Sequence, residues 1–311
     1  MLWLFVGCIA FDQILATNAK WKDEKGKIVR REFRFGGNVR NSLVAVASLG
    51  VKAAYVGTMS GEEKWKSALD DFKDNGVSTE FVDFSDKSHP AEATIVITGD
   101  GERFIVYDDT PLHHLGLPSE EKIEKAVAGA DLLLVDAGIC PPGTLDVIKR
   151  CADLKIPIIL DAEQFFVKKE IILEMITLST DLILPLNFAR LVSGKEEVSE
   201  VINSFFNDSK NLVVITEGAK GCYFREKGSL VTQHMSAYEI NAVDTNGTGD
   251  IFHGAYAYGL LNGMKTIENL EFASAAAASV ASLPHGSVRK PSLSVIKEFI
   301  SSKPKLKCTN I

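Results

Sequence analysis

The sequence lacks the features that would tie it to an oxidising compartment, a nucleic acid or a membrane. Its five cysteines are scattered and include no CxxC pair, which argues against a zinc site or a disulfide framework. Acidic residues outnumber basic ones, 41 to 34, whereas nucleic acids and anionic membranes attract basic surfaces. No apolar run approaches the ~20 residues needed to cross a bilayer. The 311 residues therefore predict a cytoplasmic protein with a small-molecule ligand and neither a nucleic-acid nor a membrane partner.

Several common catalytic motifs are also missing. The sequence contains no GxxxxGK[ST] phosphate loop, no GxGxxG after its first apolar run, no HExxH and no GxSxG. Its six histidines show no metal-ligand spacing. These absences weaken the metallohydrolase, dehydrogenase and serine-hydrolase interpretations, and they leave any metal ligands unknown.

Short apolar runs alternate with helical patterns along most of the chain. Residues 1–11 are almost wholly apolar and predict a buried strand that opens the fold. Further continuous runs are typical of parallel strands covered by helices on both faces; they lie at 53–56, 132–135, 156–160, 182–184 and 212–215. The predicted fold class is therefore α/β, with a Rossmann-like, doubly wound and mostly parallel sheet.

Two segments depart from this alternation. Residues 13–35 and 91–107 have the alternating pattern of half-exposed strands, which is typical of an antiparallel sheet with one face toward water. Each segment leaves the main alternation and returns to it. We therefore predict a small β-sheet lid formed by 13–35 and 91–107, on a core formed by 1–12, 36–90 and 108–311.

The most informative motif is a glycine-rich turn at the start of a predicted helix. It reads Asp244-Thr-Asn-Gly-Thr-Gly-Asp250. Glycines let backbone N–H groups converge, and a helix N-terminus adds its positive dipole end, so the motif predicts an anion site. Asp250 would repel a bound phosphate unless it faces an acceptor hydroxyl and takes its proton. The alternative is a glycine-rich turn in which Asp250 stabilises the first helical turn.

Four motifs in this order resemble signatures of the ribokinase-like (PfkB) family of sugar kinases. The glycine-rich turn resembles the C-terminal signature of that family, and Gly36-Gly-Asn-Val-Arg-Asn-Ser42 resembles the N-terminal one. The run Gly7-Cys-Ile-Ala-Phe-Asp12 is similar to the opening strand, and Thr216-Glu-Gly-Ala-Lys-Gly221 is similar to the nucleotide-side turn. Together the motifs span almost the whole chain.

The resemblance implies a Rossmann-like core, a β-sheet lid and phosphorylation of a sugar hydroxyl by ATP with Mg²⁺. Asp250 would be the catalytic base, with Gly247, Thr248 and Gly249 as the anion hole. The residues implied to bind the sugar are Asp12, Gly37, Asn38 and Asn41, although the two asparagines alone also suit a helix-cap pair. The residues implied on the nucleotide side are Thr216, Gly218, Gly221, Asn187 and Gly286. The small-residue helix over 272–282 would lie near adenine, or would serve only tight helix packing.

Two further positions refine this interpretation. Arg103, in Gly101-Glu-Arg-Phe-Ile-Val-Tyr107, stands where ketohexokinase-like members place an arginine near the phosphate donor, or it is a surface arginine of a hairpin. This similarity favours a ketose or a related acidic or phosphorylated sugar. Arg190, in Asn187-Phe-Ala-Arg190, stands where the family often has a glutamate that organises magnesium through water. The metal would then be organised by other groups, or Arg190 would contact phosphate or substrate.

Competing functions remain at this point. One is a kinase of a non-sugar alcohol, such as a nucleoside or a pyridoxal-type vitamin. The other is a non-catalytic relative that senses a sugar or a nucleotide. We also expect that an exposed lid sheet could pair with its copy in a homodimer.

Overall fold

The computed structural model describes residues 2–100, 102–284 and 289–311, without the side chains of residues 2, 3, 64 and 103. Within this part of the chain, the largest sheet has ten strands in the order β16-β15-β14-β13-β12-β11-β10-β1-β4-β6. The strands from β13 to β6 are mutually parallel, and β14 to β16 extend one edge antiparallel. The strands are β1 (Leu2–Val6), β4 (Lys52–Tyr55), β6 (Val77–Ser78), β10 (Leu132–Asp136), β11 (Ile158–Asp161), β12 (Asp181–Pro185), β13 (Leu212–Thr216), β14 (Cys222–Glu226), β15 (Gln233–Met235) and β16 (Cys308–Asn310).

Helices cover both faces of this sheet, because alternate residues of its strands are apolar in both directions. Leu132 and Leu134 pack into one buried cluster, while Leu133 and Val135 pack into another on the opposite face. The helices of the first face are α1 (Asn38–Ser48), α2 (Lys66–Asp74), α8 (Thr248–Leu261), α9 (Thr266–Ala281) and α10 (Leu293–Ser302). Those of the second face are α3 (Glu120–Gly129), α4 (Thr144–Asp153), α5 (Lys169–Leu178), α6 (Leu186–Ser193) and α7 (Val198–Phe205). The α/β, ribokinase-like fold class predicted from the sequence is confirmed.

A separate four-stranded sheet, which we call the lid sheet, has the order β3-β2-β8-β9. Its strands are β2 (Ala10–Thr17), β3 (Ile28–Gly36), β8 (Ala91–Ile97) and β9 (Arg103–Asp108). The expectation of a wholly antiparallel sheet is wrong, since the central pair β2 and β8 is parallel. The chain leaves the core once to form β2 and again to form β8, in the same direction both times. The two strands are therefore parallel.

Two details of the N-terminal part differ from expectation. Residues 1–11 do not form one strand: β1 ends at Val6, and β2 of the lid sheet begins at Ala10. Gly7 stands at the break, where an added Cβ would lie 2.4 Å from Cγ2 of Val39. A short parallel pair, β5 (Gly57–Met59) with β7 (Val82–Phe84), was not predicted. No helix among the described residues is long and apolar enough to cross a membrane.

Candidate active site

The site lies where parallel strands of the large sheet end and helix α8 begins. Asp136 ends β10 and Asp161 ends β11, and the two residues are paired in register. Ligands of open parallel sheets bind at this carboxyl edge. Asp250 lies near them, in the first turn of α8. Three buried carboxyl groups therefore lie at one end of the space between the large sheet and the lid sheet, which we call the crevice.

Asp250 is held by the helix that follows the lid strand β3. Nδ2 of Asn41 donates to Oδ2 of Asp250 at 2.8 Å, and Oγ of Ser42 donates to its backbone oxygen at 3.0 Å. Burial raises the pKa of Asp250 to about 7, with Asp161 and Glu163 adding to the rise and the Asn41 hydrogen bond opposing it. A carboxyl group with this pKa can accept a proton near neutral pH.

The turn before Asp250 has the backbone shape of an anion site. Gly247 caps α8 in the left-handed region, with φ of 68°. A side chain there would also be crowded, because an added Cβ would lie 2.9 Å from Nδ2 of Asn41. A Cβ added at Gly249 would meet no atom within 4 Å among the described residues. The amide of Thr248 donates to the backbone oxygen of Thr245 at 3.4 Å. The first amides of a helix have no partner inside it, so the open space beside Gly249 can hold an anion.

Asp12 and Gly37 lie on the lid side of the crevice. Asp12 pairs in register with Arg34 across β2 and β3. Burial raises the pKa of Asp12, while the nearby guanidinium groups of Arg34 and Arg40 lower it. Gly37 has φ of 90°, and a Cβ there would lie 2.9 Å from the backbone nitrogen of Ala10. The chain can therefore cross the start of the lid strand closely only with glycine at this position.

Asn38 and Asn41 do not cap helix α1, whose cap residue is Gly37 and has no side-chain cap bond. Nδ2 of Asn38 lies 3.2 Å from Oδ2 of Asp136 and 3.2 Å from Oε1 of Glu163. The other carboxylate oxygen of Asp136 accepts from the amides of residues 138 and 139. The helix-cap alternative for these asparagines is therefore wrong, since both side chains reach the acidic groups of the crevice.

The nucleotide-side residues border a cavity of about 690 Å³ on the other side of α8. Gly221 is required there by its φ of 98° and by Met235, whose backbone oxygen would lie 2.0 Å from an added Cβ. The predicted site residues that line this cavity are Thr216, Gly218, Gly221, Thr248 and Gly249. Small residues of α9 also line it, namely Ser274, Ala277, Ala278 and Ala281, while Ala273 and Ala276 of the same helix pack into the core. Helix α9 therefore both lines the cavity and packs into the core.

Three further residues that the sequence predicted for the site are Asn187, Gly286 and Arg103. Asn187 is exposed on the first turn of α6 and does not line the cavity, although Pro185 just before that helix pairs with Thr216. Gly286 lies outside the described residues. For Arg103 the structure describes the backbone, in β9, but not the side chain.

Sequence reasoning missed His253 and the acidic residues Asp136, Asp161 and Glu163. Nδ1 of His253 lies 2.8 Å from the backbone oxygen of Gly249, and Nε2 lies 3.5 Å from Oδ1 of Asp161. His253 therefore connects the anion turn to the carboxyl edge of the sheet. The available signal was an aspartate directly after each of two apolar strand runs, at positions 136 and 161.

The side chain of Arg190 contacts Glu196, which follows helix α6 in the sequence. Its Nε donates to the backbone oxygen of Glu196 at 2.9 Å, and the Glu196 carboxylate lies 3.7 Å away. The charge of Arg190 also helps to lower the pKa of Glu217, after the Lys220 hydrogen bond as the largest cause. Arg190 therefore lies close to the nucleotide-side turn.

Comparison with known proteins agrees with this geometry. A ribokinase of Bacillus subtilis (strain 168) is 30% identical over 249 residues, which is 78% of this chain and 80% of the relative. Fructokinase-2 of Solanum lycopersicum is 26% identical and covers 75% of each chain. The structure of Arabidopsis thaliana ribokinase complexed with ribose and ATP superposes with a TM-score of 0.78 at 20% identity, covering 96% of this chain and 98% of that one.

A parallel-sheet core, a small lid sheet and a glycine turn opening a helix define the ribokinase-like fold. The profile of the pfkB family carbohydrate kinases matches residues 3–291. The chain belongs to this family.

Proposed function

We propose that the protein transfers the terminal phosphoryl group of ATP to a hydroxyl of a small sugar, a ketose or a related sugar, by in-line displacement. The supporting observation is that the first turn of α8 lies between the 690 Å³ cavity and the lid side of the crevice. Gly249 borders the 690 Å³ cavity, whereas the neighbouring Asp250 points to Asn41 on the lid side. A phosphoryl group at Gly249 and a hydroxyl at Asp250 would therefore be neighbours.

Asp250 acts as the base in this proposal. Its carboxylate accepts the proton of the attacking hydroxyl, and the amides of Gly247, Thr248 and Gly249 stabilise the charge on the transferred group. Phosphoryl transfer depends mainly on positioning and charge neutralisation, so the base need not be strong. His253 fixes the backbone oxygen of Gly249 and so supports the amides of the turn.

The nucleotide occupies the 690 Å³ cavity, with adenine against the small residues of α9 and the phosphates toward Thr216, Gly218 and Gly221. Asn187 and Gly286 stay in the proposal as residues that the sequence predicts to bind the nucleotide. The chemistry that Mg²⁺ would supply, when bound with ATP, is neutralisation of the phosphate charge. No group of three or more His, Cys, Asp or Glu in the described part of the chain could hold a metal ion, so phosphate oxygens and water fit as its main ligands. Glu163, exposed beside Asn38, is the carboxylate placed to contact such water.

The sugar lies between the lid sheet and α1. Asp12 accepts hydrogen bonds from its hydroxyls, while Asn38 and Asn41 offer both donors and acceptors beside the backbone of Gly37. Arg103, on strand β9 of the lid sheet, would approach when the lid closes. We place the protein in the cytoplasm, since all five cysteines are free and four of them are buried.

The lid sheet also supports a homodimer. Phe33 and Val106 lie in one row across the sheet, and both are 54% exposed. Gln13 and Thr94 lie between them, so this face has exposed apolar side chains on its two edge strands and polar ones at its centre. Exposed apolar side chains grouped on one face are typical of an interaction surface. Light scattering should give a dimer mass, and Val106→Glu should give a monomer, whereas the control Leu230→Glu, at an exposed site outside the lid sheet, should not. A monomer in the unmodified protein would contradict the proposal.

The experiment that tests the function is ATP turnover with a panel of acceptors and Mg²⁺. We expect sugar-dependent ADP release, with a ketose or related sugar giving the largest kcat/KM. A larger kcat/KM with a nucleoside or a pyridoxal-type alcohol would show that this alcohol, and not a sugar, is the acceptor. Binding of ATP and sugar without turnover would instead show a sensing relative.

A further inference from the structure

Arg289 contacts the turn of residues 244–246, which leads into the anion site. Nη2 of Arg289 donates to the backbone oxygens of Asp244 and Asn246, each at 2.9 Å. Its Nη1 lies 3.4 Å from Oδ2 of Asp244. The guanidinium therefore holds three oxygens of a single turn, and its side chain is only 15% exposed.

These contacts fix the direction of an anion-site amide. In a trans peptide, the carbonyl oxygen of one residue and the N–H of the next point to opposite sides. Since Arg289 holds the oxygen of Asn246, the N–H of Gly247 must point away from the guanidinium. Gly247 then caps α8 with φ of 68°, a conformation that glycine adopts without steric cost. Two features thus set the orientation of the turn: the hydrogen bonds from Arg289 and the left-handed backbone of Gly247.

The charge balance of the turn supports a fixed arrangement. Oδ1 of Asp244 accepts from the amide of Asn246 at 2.9 Å, which closes the turn. Its Oδ2 also lies 3.5 Å from Nη1 of Arg34, a residue of lid strand β3. Burial lowers the pKa of Arg289, and the Asp244 carboxylate opposes that effect. The Asp244 carboxylate thus stabilises a desolvated guanidinium, and the guanidinium stabilises the carbonyl oxygens.

We propose that Arg289 is a positioning residue for phosphoryl transfer. Its guanidinium holds residues 244–246 so that the amides beginning at Gly247 aim at the transferred group. The role rests on the proposed kinase function, because it concerns the same amides, but it does not require a contact between Arg289 and either substrate. A displacement of about 1 Å at such a site can cost on the order of 100-fold in rate.

The test compares Arg289→Ala and Arg289→Lys with Lys290→Ala. Lys290 is the matched control, since it follows Arg289 directly and contacts Asn75 instead of the turn. The first measurement is amide hydrogen exchange over residues 244–250 in the protein without substrates. We expect faster exchange in Arg289→Ala, an intermediate rate in Arg289→Lys, and no change in Lys290→Ala.

The second measurement is steady-state kinetics on the preferred sugar. Arg289→Ala should lose at least about tenfold in kcat, while KM for the sugar changes little, because the amides act on the transition state. Lys290→Ala should stay within about twofold of wild type, as surface substitutions usually do. Guanidinium chloride at low millimolar concentration should restore part of the kcat of Arg289→Ala and should not raise that of Lys290→Ala.

The outcomes separate the two proposals. Unchanged exchange over 244–250 in Arg289→Ala, or a kcat equal to that of Lys290→Ala, would overturn the role of Arg289. If Arg289→Ala does not fold, Arg289→Lys decides through the same two measurements. Wild-type protein without any kinase activity would overturn the proposed function, whereas the exchange result would still report on the turn.

Discussion

The amide of Asn41 lies 2.8 Å from the carboxylate of Asp250, across 209 positions of sequence. Asn41 belongs to α1, which follows the last residue of lid strand β3 almost directly, and Asp250 belongs to the first turn of α8. Helices α1 and α8 pack together, and the backbone oxygen of Asp250 accepts from Ser42 of α1. The lid-side and nucleotide-side parts of the site are therefore joined at the residue that we propose as the base.

The first prediction concerns the pH dependence of turnover. The pKa of Asp250 is about 7 because burial and the nearby Asp161 and Glu163 disfavour its charged form. Only the ionised carboxylate can accept a proton, so kcat/KM should rise with pH and level off above about 7. Glu163→Gln removes the charge of an exposed neighbour that helps to raise the pKa of Asp250, and it should move this rise to lower pH. Asn41→Ala removes a hydrogen bond to the carboxylate and should move it to higher pH; shifts in the opposite directions would contradict the assignment.

The second prediction separates folding from ligand contact at Gly249. A Cβ at this position meets no atom within 4 Å among the described residues, and alanine is favoured over glycine in helices. Gly249→Ala should therefore keep or raise the unfolding free energy. Its added methyl would occupy the space of a phosphoryl group, so turnover should fall strongly. Urea unfolding and kcat measured on the same preparation check both parts, and full activity would mean that the turn is only structural.

The third prediction concerns Asp12. Its carboxyl faces the lid side and is separate from the 690 Å³ cavity. Asp12→Asn should raise the KM for the sugar while leaving the KM for ATP nearly unchanged, because an amide accepts fewer hydrogen bonds from hydroxyls than a carboxylate. Initial rates over a grid of sugar and ATP concentrations give both constants. An equal rise in the KM for ATP would place Asp12 outside the sugar site.

The fourth prediction concerns stability far from the crevice. Lys210 is fully buried, and its Nζ donates to the backbone oxygens of Ile176, Thr177 and Ser179 at the end of α5. Lys210→Met removes this charged donor, while the side chains of Ser179, Asn207 and Ser209 still donate to the three oxygens. We expect a loss of roughly 1.5–3 kcal/mol in unfolding free energy.

The matched control for this variant is Lys169→Met, since Lys169 makes one exposed contact at 3.4 Å. It should change the unfolding free energy by less than ~0.5 kcal/mol. Both variants should keep wild-type kcat at low temperature. A Lys210→Met protein as stable as wild type would show that the donors from Ser179, Asn207 and Ser209 satisfy these oxygens without the lysine.

The sequence allowed the core to be predicted because most of its parallel strands are continuous apolar runs, as at 132–135 and 212–215. The two-residue strand β6 (Val77–Ser78) is too short to give such a signal. The anion turn was predictable because its glycines and Asp250 are local in sequence. The parallel pairing of β2 with β8 was not, since strand partners are chosen by tertiary packing. The position of Asp136 and Asp161 directly after apolar runs was a local signal, but their pairing became visible only when the structure placed β10 beside β11.

The most direct test of the account is kcat of Asp250→Asn with the preferred sugar and ATP. Asparagine keeps the size of the side chain and removes the proton acceptor. We predict a loss of at least ~100-fold in kcat, within the range for a general base, with an unfolding transition like that of wild type. A folded Asp250→Asn protein with near wild-type kcat would contradict the account.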